Sequence, residues 1–319
     1  MKPFAVRTAL AHSIVIGFLV VPLGGLSRVY AQGARSSTPE YFYQPTSGVM
    51  NLSFEGHQLL AGSTSTSVSG VKTNDTKLSR QGFAFDYGYG FSDEWAFSVK
   101  MVLDNRTSDV STTAGGTTSY KQTGRSDVTL MLSNITALGG WNLNIGVGTA
   151  LSPGKRLDQT ASADGNNLSG GTSIINYFGL STTLGSGNYF GGKVQYVTRT
   201  QATGNTNTSA PQDYSIEGGN TVSVAAFLAA ELTPLAADLS VTYNFIDPIV
   251  YTYGASNTVT ANAYQTVQID VGAQYGFTPS VNLRLGYQML MLSEQMSSSA
   301  TVLAAHNQSV VSLRLRFEF

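Results

Sequence analysis

The chain has 319 residues, a formal net charge of −1, only 12% charged residues and no cysteine. The absence of cysteine excludes a disulfide framework and a thiolate metal site, and the absence of a basic run argues against nucleic acid as a partner. An apolar fraction of 42% is near the globular average and excludes a disordered chain.

The first 31 residues have the pattern of a secretory signal peptide. Lys2 and Arg7 form a positive start, and residues 9–21 form a mostly apolar stretch. Residues 29–31 (Val-Tyr-Ala) have the character of a cleavage site, so we expect cleavage after Ala31. The alternative is a membrane anchor, which needs roughly 20 apolar residues, more than this stretch offers. No lipoprotein cysteine is present. Residues 32–45 are predicted to form a periplasmic N-terminal segment.

After residue 45 the sequence alternates apolar and polar residues with a period of two, as strands with two unlike faces do. The C-terminal segment is the clearest, with apolar residues at the odd positions from Val311 to Phe319 and polar residues between them. In segment 171–183 apolar residues fall on both faces, so its orientation stays open. The predicted strands are the twelve segments at about 48–60, 82–89, 94–104, 123–135, 141–148, 171–183, 188–200, 216–231, 238–245, 266–275, 281–289 and 311–319.

The connections between these segments alternate in length. Five are short and six are long. The first long one, after residue 60, has roughly 16 residues, and the others lie near 106–122, 152–170, 200–215, 248–262 and 295–307. A soluble β-sandwich alternates too, but its connecting ends are similar, whereas tight periplasmic turns and long extracellular loops are typical of outer-membrane barrels. A sheet in hydrocarbon must close to satisfy its backbone. We therefore predict a closed antiparallel transmembrane β-barrel over residues 46–319, with about twelve strands and a range of 10–14.

Charged residues lie on the polar face of the strands. At the bilayer midplane a lipid-facing Arg or Lys would cost about 2–4 kcal/mol, so these side chains are predicted to face the barrel interior. Arg284, Arg314 and Arg316 are expected on one wall, with Asp86, Asp104 and Asp270 on an opposing acidic wall. The alternative is a plugged interior with structural ion pairs only. The candidate lumen-lining residues are Asp86, Lys100, Asp104, Asp127, Lys193, Asp270, Arg284, Arg314 and Arg316.

Catalytic and metal-binding patterns are weak. The mature chain retains His57 and His306, and neither has the spacing of a metal ligand. A lipase-type barrel would need a histidine with a serine and a polar orienting group, and residues 306–309 (His-Asn-Gln-Ser) offer the residue types without a known motif. We expect no catalytic residues, no metal and no cofactor.

Partners follow from the predicted location. Trp95 and Trp141 each come directly after a short connection, where interfacial aromatic residues are expected to meet outer-membrane lipid and lipopolysaccharide. A last strand ending in Phe319 suggests recognition by the barrel-assembly machinery. Small-molecule solutes are the expected cargo.

Two stretches suggest a family. Residues 124–130 (Gly-Arg-Ser-Asp-Val-Thr-Leu) resemble the Gly-x-Gly-Asp-x-x-Leu strand start of outer-membrane transporters named for the phenol-degradation meta-pathway. Residues 151–154 (Leu-Ser-Pro-Gly) are similar to the Leu-Pro-Thr-Gly that closes the next strand there, and the 275–280 turn is similar in style. Ser126 replaces a family glycine. The resemblance covers about a fifth of the chain and implies uptake of small aromatic or hydrophobic compounds.

The sequence thus predicts a bacterial outer-membrane channel or transporter that passes small molecules through a polar lumen. Two other functions stay open, a barrel enzyme of lipase type and a structural or adhesive surface barrel.

Overall fold

The computed structural model describes residues 44–185, 187–232, 234–254, 257–278, 280–297 and 301–319. The predicted signal peptide and almost all of the predicted N-terminal segment lie outside the described residues. In the part of the chain that is described, no helix has the length and apolarity needed to cross a membrane.

The described chain consists of β-strands and their connections. In chain order they are β1 Met50–Val68, β2 Val71–Gly90, β3 Trp95–Thr112, β4 Thr117–Ser126, β5 Val128–Leu138, β6 Trp141–Leu151, β7 Arg156–Leu157, β8 Gly165–Asn167, β9 Thr172–Thr183, β10 Asn188–Arg199, β11 Ala202–Asn205, β12 Asp213–Gly218, β13 Thr221–Leu232, β14 Leu235–Ile246, β15 Ile249–Tyr253, β16 Asn257–Ala261, β17 Tyr264–Thr278, β18 Val281–Leu292, β19 Gln295–Met296, β20 Thr301–Leu303 and β21 His306–Glu318.

Twelve of these strands form a closed antiparallel barrel, as predicted. Their order around the wall is β1, β2, β3, β5, β6, β9, β10, β13, β14, β17, β18 and β21, and β21 pairs with β1. At the seam the backbone N–H of Phe319 donates to the carbonyl oxygen of Met50, and the N–H of Met50 donates back. Closure leaves no open edge in this wall, which is the condition for a sheet to cross hydrocarbon.

The outer face is apolar, as the alternation predicts. Phe83 and Leu285 are 70% and 55% exposed, while the polar residues Arg316 and Asn282 are 3% and 2% exposed on the inner face. This burial is inverted relative to a soluble protein, because the outer side chains meet lipid. Near the short turns, Trp141 packs edge-to-face on Phe190, with ring centroids 5.6 Å apart. The barrel therefore has the outer face of a transmembrane protein.

The prediction of a long loop after residue 60 is wrong in one respect, because this segment continues as paired strands. β1 and β2 stay paired until a two-residue turn at Ser69 and Gly70, both of which have positive φ, as a tight hairpin turn requires. Likewise, β3 continues to Thr112 and pairs with β4. Beyond the lipid both faces of a strand meet water, so the apolar alternation disappears although the hydrogen bonding continues.

The open question of segment 171–183 is settled by register. Tyr177 lies opposite Gly146 of β6 and Gln195 of β10, which places Tyr177 and Ile175 on the inner face and Phe178 on the outer face. Alternation failed here because this stretch of the inner wall is itself partly apolar.

A second sheet stands at the extracellular end, and we call it the loop sheet. It contains β16, β15, β12, β11 and β7 in that order, drawn from three of the long connections. Its core is formed by Ala202, Tyr214, Ile216 and Ile249. The long loops at about 152–170, 200–215 and 248–262 thus carry strands of their own.

Candidate functional site

The interior of the barrel has two unlike walls. The charged wall comprises the inward side chains of seven consecutive strands, β14, β17, β18, β21, β1, β2 and β3. The small-residue wall comprises the inward side chains of β5, β6, β9, β10 and β13, where glycine, alanine, serine, asparagine and a few apolar residues predominate.

Arg284 is the centre of the first charged cluster. Its Nε and Nη2 atoms donate to the two carboxylate oxygens of Asp238, at 3.1 and 2.5 Å. This two-pronged contact spans β17, where a side chain at Gly272 would overlap the guanidinium. Gly286 leaves room on the other side of the same group. These glycines therefore accommodate an ion pair.

Asp270 has a different environment from the other acids. Its carboxylate accepts hydrogen bonds from the side-chain amides of Gln268 and Gln288, at 2.8 and 2.9 Å, and from Ser240 at 3.4 Å. These contacts disperse its charge over neutral dipoles.

Asp104 is the centre of the second charged cluster. It is 2% exposed, and its Oδ1 atom lies 2.5 Å from Nε2 of His57. Its Oδ2 atom accepts from Arg80 at 2.7 Å and from Arg106 at 2.9 Å. A side chain at Gly82 would collide with Asp104. One carboxylate thus holds three basic groups from three neighbouring strands.

The remaining predicted residues of this wall lie on β21, β2 and β3. Arg314 is 3.7 Å from Glu55, and Asp86 lies opposite Lys100 in the β2–β3 register. Arg316 lies between Ser53 and Asn282 in register. A cavity of about 360 Å³ opens along this wall and is lined by residues that include Glu55, Lys100, Asp270, Arg284 and Arg314.

The expected separation into a basic wall and an opposing acidic wall is wrong. Asp86, Asp104 and Asp270 lie on the same arc of strands as Arg284 and Arg314. Closure of β1 on β21 places the N-terminal strands beside the C-terminal ones, so acids and bases from the two ends of the chain interleave.

Asp127 holds a loop in place. It lies in the break between β4 and β5, and its Oδ1 atom accepts from the backbone N–H of Ser169 at 3.0 Å. The side-chain amide of Asn167 bonds the carbonyl oxygens of Asp104 and Gly124, at 2.7 and 2.9 Å. The two stretches that carry the family resemblance meet here, since Val128 pairs with Leu151.

The small-residue wall is shaped by aromatic rings that lie over glycines. A side chain at Gly146 would overlap the Tyr177 ring, and one at Gly191 would lie 2.6 Å from the Phe227 ring. Lys193, the predicted basic residue on this wall, holds its Nζ atom 4.9 Å from the centroid of the Tyr177 ring. The two rings therefore lie against the backbone of the neighbouring strands, at positions where a glycine leaves room for them.

The periplasmic end of the interior contains the first described residues. Gly48 donates its N–H to the carbonyl oxygen of Gly90 at 2.7 Å, and the side chain of Gln44 donates to the carbonyl oxygen of Glu94 at 2.8 Å. A side chain at Gly90 would overlap residues 45 and 46. The chain therefore enters β1 along the inner surface of β2.

The loop sheet has its own polar contact. The hydroxyl group of Tyr214 donates to Asp158 at 2.7 Å, and Arg156 lies 3.3 Å from the same carboxylate. Burial of the phenol, reinforced by the bond to Asp158, raises the pKa of Tyr214 above its ordinary value of 10.0.

The two histidines of the described residues have different surroundings. His306 contacts the carbonyl oxygen of Ala304 and the side chain of Gln308, both two residues away. No group of three or more His, Cys, Asp or Glu side chains in the described ranges is arranged to hold a metal ion. The histidine with an acidic partner is His57, and that acid also binds two arginines.

Sequence reasoning missed several members of the interior. Arg80 lies before the predicted segment 82–89, and Arg106 lies in the predicted loop 106–122; both are in strands. Tyr177 was hidden by the ambiguous face of its segment. The even–odd alternation of the strands could have found the two arginines. If the alternation of β2 and β3 is continued beyond the lipid, Arg80 and Arg106 fall on the inner face.

Comparison with solved structures finds matches among outer-membrane proteins. An outer membrane channel from Pseudomonas putida F1 superposes with a TM-score of 0.58, over 88% of this chain and 99% of that one, at 14% identity. The toluene transporter TodX of P. putida matches with a TM-score of 0.43, over 85% and 90% of the two chains, at 12% identity. A FadL homologue of Pseudomonas aeruginosa matches with a TM-score of 0.43, over 90% and 96%, at 10% identity.

The first superposition shows the fold, which is that of a bacterial outer-membrane β-barrel. No family model matches the chain, and no curated protein sequence matches it.

Proposed function

We propose that this barrel is a channel of the bacterial outer membrane that passes small molecules through its interior. The observation that carries the proposal is the division of the interior into two walls. A scaffold that needed only stability would gain from a uniformly packed interior. Here a string of charges with a cavity beside it faces a surface of glycines, small polar groups and flat rings.

The two walls together favour solutes that have both a polar and an apolar side. A solute entering the barrel exchanges water for the charged wall, whose guanidinium, carboxylate and amide groups offer hydrogen bonds. Its apolar part meets Tyr177, Phe227 and the glycines of the small-residue wall. Because binding must be weak enough to permit release, a shallow surface of this kind suits passage better than a deep pocket.

Small aromatic or hydrophobic compounds are the cargo that we propose, in agreement with the resemblance of residues 124–130 and 151–154 to meta-pathway transporters. Lipid, lipopolysaccharide and the barrel-assembly machinery are proposed as partners on the outside of the barrel. Support comes from the exposed apolar belt and from Phe319, which is 69% exposed at the end of the closing strand.

Reconstitution tests the function directly. The purified barrel is inserted into planar bilayers for conductance, and into liposomes for swelling assays with neutral solutes of graded size. We expect stepwise conductance and swelling with small solutes that fades as size increases. Silent membranes and unswollen liposomes, with barrel insertion verified by heat-modifiable migration, would overturn the proposal. Lipid hydrolysis in those silent membranes would favour the enzyme instead.

A further inference from the structure

Two charged side chains in the cavity of the charged wall differ from the charged groups around them. Three arginines that line this cavity each lie beside a carboxylate, in the pairs Arg284–Asp238, Arg80–Asp104 and Arg314–Glu55. Lys100 and Asp270 line the same cavity and belong to none of these pairs. They have opposite charges, and they come from strands β3 and β17.

Lys100 presents an ammonium group to the cavity. Its side chain is exposed and lies on the inner face of β3, with Asp86 of β2 and Thr129 of β5 as its register partners. Among the described residues, this ammonium group forms no ion pair and no side-chain hydrogen bond. A lysine side chain can donate three hydrogen bonds, so Lys100 is available to a solute in the cavity.

Asp270 presents a carboxylate whose side-chain contacts are all with neutral groups. Gln268 and Gln288 donate to it from their amides at 2.8 and 2.9 Å, and Ser240 donates at 3.4 Å. These bonds orient the half-buried carboxylate without cancelling its negative charge. The two oxygens of a carboxylate can accept about four hydrogen bonds, so the group can accept one more, from a cationic donor.

Lys100 and Asp270 lie on different sides of the interior. Between β3 and β17 the wall passes through β2, β1, β21 and β18, so the two strands are five positions apart in a closed wall of twelve. The cavity of about 360 Å³ reaches both side chains, and its volume is in the range of roughly 300–1,000 Å³ that is usual for small-molecule sites. Its lining also includes the inward apolar residues Ala84, Val102 and Val310.

We infer that Lys100 and Asp270 form a binding station for a solute that carries a carboxylate at one end and an ammonium group at the other, such as an ω-amino acid. The solute carboxylate accepts a charge-assisted hydrogen bond from Lys100, and the solute ammonium group donates one to Asp270. The methylene chain between them crosses the cavity beside its apolar residues. This inference rests on the proposed channel function and adds a solute class to it.

Solutes that lack this arrangement of charges make only part of these contacts. A monocarboxylate has no group for Asp270, and an alkylammonium ion has no group for Lys100. In an α-amino acid the two charges are adjacent, so it meets one side of the cavity at a time.

Ligand-observed NMR titration of the purified full-length barrel in detergent tests the station without requiring conduction. The probes are 6-aminohexanoate, hexanoate as the carboxylate alone, hexylammonium as the cation alone, and glycine as a zwitterion with adjacent charges. Binding to empty detergent micelles is subtracted for each probe. We expect 6-aminohexanoate to bind about fivefold more tightly than each of the other three, which is the gain that one additional solvent-exposed ion pair can give.

Substitutions at the two residues should affect different comparisons. Asp270→Asn should bind 6-aminohexanoate no more tightly than hexanoate, since only the contact with Lys100 remains. Lys100→Gln should bind it no more tightly than hexylammonium, since only the contact with Asp270 remains. The matched control is Lys193→Gln, which removes an inward lysine that does not line this cavity, and the fivefold preference should survive it.

Two results would overturn the inference. One is equal binding of 6-aminohexanoate and either singly charged probe by the wild type. The other is an undiminished preference in Asp270→Asn or Lys100→Gln, measured on a barrel of normal heat-modifiable migration. If one of these variants does not fold, the other decides the outcome.

The station and the channel function fail in different ways. If neutral solutes swell the liposomes but 6-aminohexanoate binds no better than hexanoate, the channel stands and the station does not. If 6-aminohexanoate binds with the expected dependence on Lys100 and Asp270 but no solute passes, the station stands and the channel function does not.

Discussion

The two walls of the interior solve the same problem with opposite chemistry. Both must fill the space inside a twelve-stranded wall, where burying a polar group costs free energy unless it is hydrogen-bonded. The charged wall does so with connected ions, such as Asp104 with its three basic partners. The small-residue wall does so with flat rings laid over glycines, such as Tyr177 over Gly146. The charged wall depends on ionic partners from neighbouring strands. The small-residue wall depends on glycines, which leave room for the aromatic rings because they have no side chain.

This difference has consequences for what a solute meets. Charges held by other charges keep their positions, so the charged wall offers a fixed pattern of donors and acceptors. Aromatic rings held by packing offer apolar contact area but no directional hydrogen bonds. Solutes that differ only in charge should therefore be distinguished mainly by one wall, and solutes that differ only in shape mainly by the other.

The largest effect is expected on breaking the charged wall at its centre. Asp104→Ala leaves His57, Arg80 and Arg106 without their shared carboxylate. Removing one partner of a buried ionic cluster costs about 3 kcal/mol or more. Denaturant titration of the barrel in detergent should show a loss of unfolding free energy of this order.

Asp75→Ala is the matched control, because Asp75 contacts Lys72 with both side chains more than half exposed. An exposed pair contributes about 0–1 kcal/mol. Comparable losses in the two variants would show that the Asp104 cluster is not a stabilising network.

The sequence determines the outer face of this barrel better than its inner one. Lipid imposes a strict period of two, so strands such as β6 and β21 were predictable from alternation alone. The Arg284–Asp238 pair was not, because its members are 46 residues apart and meet only through a register that hydrogen bonding across β17 sets. Arg80 and Arg106 were not predicted as inward residues, because the parts of the strands that extend beyond the lipid do not alternate apolar with polar residues.

The second-largest loss of unfolding free energy is expected from a change in the small-residue wall. Gly146→Ala should displace the Tyr177 ring from the backbone into the interior, with a loss of about 1–3 kcal/mol from overpacking. Single-channel conductance should fall because the displaced ring narrows the path. Gly192→Ala serves as the control, since a side chain there would meet only one backbone oxygen, at 3.2 Å. Unaltered conductance in Gly146→Ala would mean that the wall does not depend on this glycine.

A third effect should appear in ion selectivity alone. Replacing Arg314 and Arg316 together by Gln removes two positive charges that are 9% and 3% exposed. The reversal potential in a salt gradient should move toward cation preference, as expected from the field of inward charges. The shift should shrink at 1 M salt, where the screening length is about 3 Å. An unchanged reversal potential at low salt would support a plugged, ion-paired interior instead of a conducting one.

The smallest effect is expected in the loop sheet, which belongs to neither wall and so provides a reference for both. Tyr214→Phe removes the hydroxyl group that donates to Asp158 while keeping the ring in the core, with an expected local loss of about 1 kcal/mol.

Because the pKa of Tyr214 is raised, its neutral form stabilises this sheet fully below the unfolded pKa, and that contribution is lost as pH rises through the folded value. Hydrogen exchange of residues 202–205 and 213–218 should therefore accelerate at strongly alkaline pH in the wild type, and less steeply in Tyr214→Phe. Barrel conductance at neutral pH should be the same in both proteins. A conductance change in Tyr214→Phe would couple the loop sheet to the interior and end its use as a reference.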